Sequence, residues 1–114
     1  AEHTSAAFGA TCEFSFKRNY PPTLNHPAET AFLRELLAEI VGADQVLDQE
    51  PTMGAEDFAY MLQERPGCYA FIGNGGSAAD GTICMVHNPG YDFNVANLPV
   101  GAAYWVLLAE KSLS

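Results

Sequence analysis

Positive charge is scarce in this chain. Five Lys and Arg stand against fourteen Asp and Glu, giving a formal net charge of −9 over 114 residues. A surface so short of cations is a poor match for a phosphate backbone or an anionic bilayer, so nucleic acid and membrane are excluded as partners. Cysteine is scarce too. Cys12, Cys68 and Cys84 are odd in number and irregular in spacing, which argues against a disulfide framework. Free buried thiols in a reducing, cytoplasmic setting are expected instead. No apolar run is long enough to span a bilayer, and no basic-then-apolar leader opens the chain. Internal repeats and low-complexity tracts are absent.

What remains is a folding sequence. Hydrophobic residues make up 48% of it, which excludes a disordered tail. The length suits one domain with a substantial core. The chain starts abruptly inside what reads as a helix end, which points to a fragment. Residues 1–10 carry small and apolar side chains, with Gly9 placed to stop a helix. In residues 11–18, Cys12, Phe14 and Phe16 alternate with polar neighbours, the pattern of a strand with one buried face. Residues 19–27 are a linker by composition, held extended by Pro21, Pro22 and Pro27.

The spacing of Phe32, Leu33, Leu36, Leu37 and Ile40 then predicts an amphipathic helix. Pro27 suits its first position and Gly42 its end. A short strand is expected over 45–48 and a second helix over 55–64, closed by Pro66-Gly67. Residues 68–73 form a nearly continuous apolar run, which suits a strand covered on both faces. A glycine-rich loop over 74–81 leads to an apolar lead-in over 82–86. The last helix, capped by Asn97 with Pro99 in its first turn, leaves little wet face and is expected to be well buried. Helices alternating with buried strands imply an α/β layer fold.

The stretch that organises the chain is residues 85–94, Met85-Val86-His87-Asn88-Pro89-Gly90-Tyr91-Asp92-Phe93-Asn94. One imidazole is held where a buried strand gives way to a tight loop. Functional side chains often sit on such loops. His87 has two readings, a turn histidine satisfied by backbone or a metal ligand. Asn88-Pro89-Gly90 would fix the loop, and Asp92 is near enough to orient the ring from behind. From the residues alone the two readings stand level. Cys84 and His87 have C-x-x-H spacing, but in a strand those positions face opposite ways. No second ligand pair with finger spacing accompanies them, so Cys84 is read as packing.

The second constellation is Met53-Gly54-Ala55-Glu56-Asp57-Phe58. A helix start with dipole-complementing acids is the plainer reading. The functional reading makes Gly54 a point of close ligand approach, beside helix N–H groups able to hold a carboxylate. Lys17-Arg18, His3 and His26 read as exposed or structural. Asp44, Asp48 and Glu50 read as a solvated acidic edge.

Four blocks in order carry a family resemblance. They are Arg18-Asn19-Tyr20-Pro21-Pro22-Thr23-Leu24-Asn25-His26-Pro27, residues 53–61, residues 87–94, and Leu98-Pro99-Val100-Gly101-Ala102-Ala103-Tyr104-Trp105. Together they resemble the C-terminal part of the M20 metallopeptidase family. The branch they most resemble is the amidohydrolases that include hippurate hydrolase and the N-acyl-amino-acid and auxin-conjugate hydrolases. The resemblance implies that residues 1–26 are the last helix and strand of a lid or dimerisation domain plus a linker. It implies that residues 27–114 are the C-terminal portion of an α/β catalytic domain. His87 matches the family's last metal ligand, with Asn88 and Asp92 behind it. Gly54, Glu56 and Asp57 match a loop bordering the substrate pocket. The implied whole enzyme holds two divalent metals (Mn, Zn, Ni or Co) and cleaves the amide bond of small N-acyl amino acids with metal-activated water. The other ligands and the general base would lie in a missing N-terminal part, so no catalytic residue is expected in this chain and the chain alone should be inactive. A homo-oligomer is also implied. Val95 departs from the pattern, which usually has aspartate there. That departure favours the alternative, a non-catalytic α/β interaction module derived from the same scaffold.

Overall fold

A computed structural model of the chain describes residues 1–75 and 84–114. Four α-helices appear in it: α1 (Glu2–Ala7), α2 (Pro27–Val41), α3 (Phe58–Glu64) and α4 (Leu98–Leu113). Single 3₁₀ turns cover Ala43–Gln45 and Val95–Asn97.

The helix ends follow local chemistry. After α1, Gly9 takes φ +69°. Its N–H donates to Ala6 O while the Ala10 N–H donates to Ser5 O, both at 3.0 Å, which is a complete Schellman closure. α2 begins with Pro27 in its first turn after an extended His26. The Thr30 N–H and hydroxyl both donate to His26 O, at 2.9 and 2.8 Å. Gly42 stops it at φ +89°, with its N–H on Ala38 O at 3.0 Å. α3 starts at Phe58, three residues later than the apolar pattern suggests, because residues 55 and 56 are coil and Asp57 is the turn that leads into it.

The buried apolar side chains are Leu33 and Leu36 of α2 and Ala59 and Leu62 of α3. α2 packs against α4 and the Ala43–Gln45 turn, and Lys111 of α4 pairs with Glu39 of α2. α3 leans on the proline linker. The Tyr60 hydroxyl donates to Asn19 O at 2.7 Å, and the Tyr20 and Tyr60 rings lie 5.8 Å apart.

The expected α/β layering is overturned: among the described residues there is no strand, only helix, turn and coil. Residues 11–18 are coil and exposed, with Phe14 at 63% and Phe16 at 71%. Residues 46–48 are coil after the 3₁₀ turn. Residues 68–73 are coil and far from covered on two faces, since Phe71 and Ile72 stand exposed. The physical reason is that a strand exists only as a member of a hydrogen-bonded ladder. Alternation or an apolar run expresses a capacity to pair, and within the described residues these segments have no ladder partner. The buried strand expected before His87 is likewise absent over 84–86, which are coil and turn with Met85 and Val86 exposed. The loop over 76–81 and residues 82–83 lie outside the described residues.

Burial of the last helix is likewise corrected. No residue of α4 is buried, and Trp105 is 66% exposed. Asn97 makes no side-chain cap there. Cys12 is exposed rather than buried, and Cys68 and Cys84 are half-buried. All three thiols are free.

The shape is open. The radius of gyration is 20.2 Å, against about 13 Å for a compact chain of this length. The accessible surface is 9657 Å², against about 6,100 Å² for a compact monomer of this mass. This excess of roughly 3,500 Å² is more than twice what a standard protein–protein interface covers.

Candidate functional site

The His87 loop is built from two successive turns. The Asn88 N–H donates to Met85 O at 3.1 Å, and the Tyr91 N–H donates to Asn88 O at 2.9 Å. His87 occupies the third position of the first turn with φ +71°, the one non-glycine residue with positive φ among those described. That position of a type II turn demands positive φ and is normally given to Gly or Asn. A histidine there carries some backbone cost. The ring is exposed.

The second turn is set by Asn88, whose Oδ1 accepts from the Gly90 N–H at 2.8 Å. Gly90 sits where there is little room for a side chain. A Cβ there would lie 3.2 Å from Cys84 Sγ and 3.3 Å from Asn88 Oδ1. Cys84 therefore packs across the neck of the loop, as expected for a packing thiol. Asn88 closes the turn, and Asp92 contributes its backbone carbonyl to the loop's anchorage. No hydrogen bond joins either side chain to His87 among the described residues.

That anchorage comes from asparagines that sequence reasoning passed over. The Asn74 Nδ2 donates to Asp92 O at 2.8 Å, and its Oδ1 accepts from the Asn94 N–H at 2.7 Å. The Asn97 Nδ2 donates to Gly73 O at 2.8 Å, and the Asn94 Oδ1 accepts from the Ala96 N–H at 3.1 Å. A matching clamp lies elsewhere. The Asn25 Nδ2 donates to Tyr69 O at 2.8 Å, and its Oδ1 accepts from the Tyr69 N–H at 2.7 Å. Beside it the His26 N–H donates to Gly67 O at 3.0 Å and the Gly67 N–H donates to His26 Nδ1 at 3.2 Å. In composition these asparagines read as turn formers. Their spacing carries no periodic signal, because each clamp joins segments far apart in the chain.

The 54–57 block is partly engaged in holding the structure. Glu56 Oε1 accepts from the Phe58 N–H at 3.1 Å, and Oε2 accepts from the Tyr69 hydroxyl at 2.9 Å. The Phe58 N–H, then the Tyr69 hydroxyl, hold its carboxyl below the usual carboxylate value. The same contact raises Tyr69, and partial burial adds to it. Tyr69 is in turn wedged between Phe58 and Phe71, with ring centroids 5.4 and 5.2 Å away. Asp57 stands exposed at the head of α3 with no side-chain cap bond. A Cβ on Gly54 would meet nothing closer than Thr52 Oγ1 at 3.9 Å, so the backbone there is open to approach. No hydrogen bond or ion pair links this block to the His87 loop among the described residues.

No group of three or more His, Cys, Asp or Glu able to hold a cation occurs among the described residues. A single imidazole, exposed and free of apolar cover, fits one donor of a metal site and not a whole site. No helix of the described residues is long and apolar enough to cross a membrane.

The family model described as Peptidase family M20/M25/M40 matches residues 3–111, and the chain belongs to that family. The likeness seen in the four sequence blocks is thus borne out. Relatives named as a carboxypeptidase, an amino-acid-conjugate hydrolase and a deacetylase are among the similar proteins. Thermostable carboxypeptidase 1 of Saccharolobus solfataricus is 37% identical over 105 residues, covering 91% of this chain and 26% of that protein. IAA-amino acid hydrolase ILR1-like 6 of Arabidopsis thaliana is 34% identical over 107 residues, covering 92% of this chain and 23% of that protein. N-acetyl-L-cysteine deacetylase of Bacillus subtilis is 37% identical over 112 residues, covering 98% of this chain and 25% of that protein. The chain spans about a quarter of the length of these curated relatives. No solved structure matches it.

Proposed function

We propose that this chain is the C-terminal portion of a metal-dependent amidohydrolase that cleaves the amide bond of small N-acyl amino acids of the hippurate type. His87 supplies one ligand to a pair of divalent metals (Mn, Zn, Ni or Co). The observation that supports this most is the family match over residues 3–111 combined with an exposed histidine of left-handed backbone on a turned loop. A catalytic site of this kind needs about three protein ligands, so the remaining donors and the general base belong to segments outside the chain. A bound divalent metal polarises the scissile carbonyl and acidifies a water.

The chain's own residues set positions. Asn88 and Gly90 shape the turn that follows His87, and Asp92 anchors the root of the loop through its carbonyl. Gly54 leaves the backbone open to a substrate group, and Asp57 offers an exposed carboxylate at the same edge. Glu56 keeps that edge in place through Phe58 and Tyr69. Residues 1–26 belong to the lid or dimerisation unit and residues 27–114 to the catalytic unit of a homo-oligomer. Free thiols suit a cytoplasmic location.

The test is hydrolysis of N-benzoyl- and N-acetyl-amino acids with added Mn(II) or Zn(II). The chain alone is expected to be inactive. Joined to the upstream part of its full-length protein it is expected to be active, and His87→Ala is expected to abolish that activity. Turnover by the chain alone would overturn this division of labour. A joined protein that binds metal equally with and without the imidazole, and hydrolyses nothing, would instead favour a non-catalytic module, the reading that Val95 suggests.

A further inference from the structure

The His87 loop is not held by apolar burial. Met85, Val86, Phe93 and Val95 are all exposed, at 70, 57, 42 and 70%. Its placement therefore rests on polar bonds and turn geometry. At the tip, the two turns fix His87 relative to Tyr91. At the neck, Gly90 closes on Cys84. At the root, the chain is gripped from outside by one side chain. The Asn74 amide holds the Asp92 carbonyl and the Asn94 N–H together, at 2.8 and 2.7 Å. Only one orientation of that amide satisfies both, since Nδ2 must meet the carbonyl and Oδ1 the N–H. The pair copies the two bonds that a neighbouring strand would make, with a side chain in place of backbone.

We propose that Asn74 is a positioning residue for His87, setting where the imidazole stands by clamping the root of its loop. The proposal rests on the reading of His87 as a metal ligand. Asn97 assists by holding Gly73 O, so residues 73–74 and 92–97 are joined by three side-chain bonds. A donor misplaced by about 1 Å loses much of its value in a metal site, and residues that orient ligands typically matter about 10–100-fold in metal affinity.

The experiment uses the full-length metal-depleted enzyme titrated with Mn(II) alone by calorimetry, with thermal melting and kcat/KM measured alongside. Asn25 is the built-in control. It makes the same two backbone bonds at the same distances, on Tyr69, away from the His87 loop. Asn74→Ala is expected to weaken Mn(II) binding about tenfold, while Asn25→Ala lowers the melting temperature comparably and leaves Mn(II) affinity within about twofold. Asn74→Asp keeps the acceptor for the Asn94 N–H but sets an oxygen against the Asp92 carbonyl. It should fall between wild type and Asn74→Ala, and it carries the comparison if the alanine variant does not fold. Unchanged Mn(II) affinity in both Asn74 variants, or equal weakening by Asn25→Ala, would overturn the proposal. His87→Ala distinguishes the two levels. If it leaves Mn(II) binding intact, the ligand reading fails and the positioning inference fails with it. If it weakens Mn(II) binding while the Asn74 variants do not, the positioning inference fails alone.

Discussion

Replacing His87 by glycine and by alanine removes the same imidazole but treats the backbone oppositely. At φ +71° an L-residue carries a left-handed penalty of about 1–2 kcal/mol, which glycine escapes. Against that, glycine loses about 0.4–1 kcal/mol relative to alanine through its freer unfolded chain. The balance leaves His87→Gly more stable than His87→Ala by roughly 0.5–1 kcal/mol. At ordinary positions the sign is reversed. For a domain near this size, such a difference corresponds to a melting shift of about 2–8 °C. Thermal unfolding followed by circular dichroism at low micromolar concentration reads it directly. If His87→Ala melts at or above the temperature of His87→Gly, the left-handed backbone is not there, and the exposed presentation of the ring loses its structural basis.

Two further predictions concern electrostatics and surface. The folded-state pKa of Glu56 lies below its ordinary 4.5, so the stabilisation it contributes is present above that value and is lost as pH falls through the folded value. Tyr69→Phe should move the Glu56 titration, followed by carboxyl carbon NMR, back up toward 4.5, and an unmoved titration would show that the hydroxyl bond is not formed. The excess surface, which includes Phe71, Ile72, Trp105 and Val106, predicts that the isolated 114 residues self-associate. Light scattering should show mass rising with concentration, and a constant monomer mass at high concentration refutes it.

The parts legible in the sequence are those whose signals are local. α2 declares itself through apolar spacing, the Pro27 start and the Gly42 stop, and Gly9 ends α1 as its freedom at positive φ allows. The family blocks are legible because residue identity and order can be read without any tertiary partner. The strands were not borne out, because alternation in 11–18 and the apolar run in 68–73 specify a face to be covered but not what covers it. α4 was read as buried for the same reason. Its apolar side chains record a demand for burial that the described residues do not meet. The positive φ at His87 is invisible to composition, since Pro89-Gly90 marks the turn that follows and not the one that carries the ring. The asparagine clamps escaped because side-chain amides that imitate a ladder obey no period. The two bonds that Glu56 accepts, from the Phe58 N–H and the Tyr69 hydroxyl, were not legible either, because the second joins residues 13 apart in the chain.

The bound-metal content of the full-length protein, measured by elemental analysis after dialysis with Mn(II), bears most directly on the role given to His87. The account predicts that His87→Ala retains clearly less metal than wild type while remaining folded. Equal metal in the two proteins would contradict it.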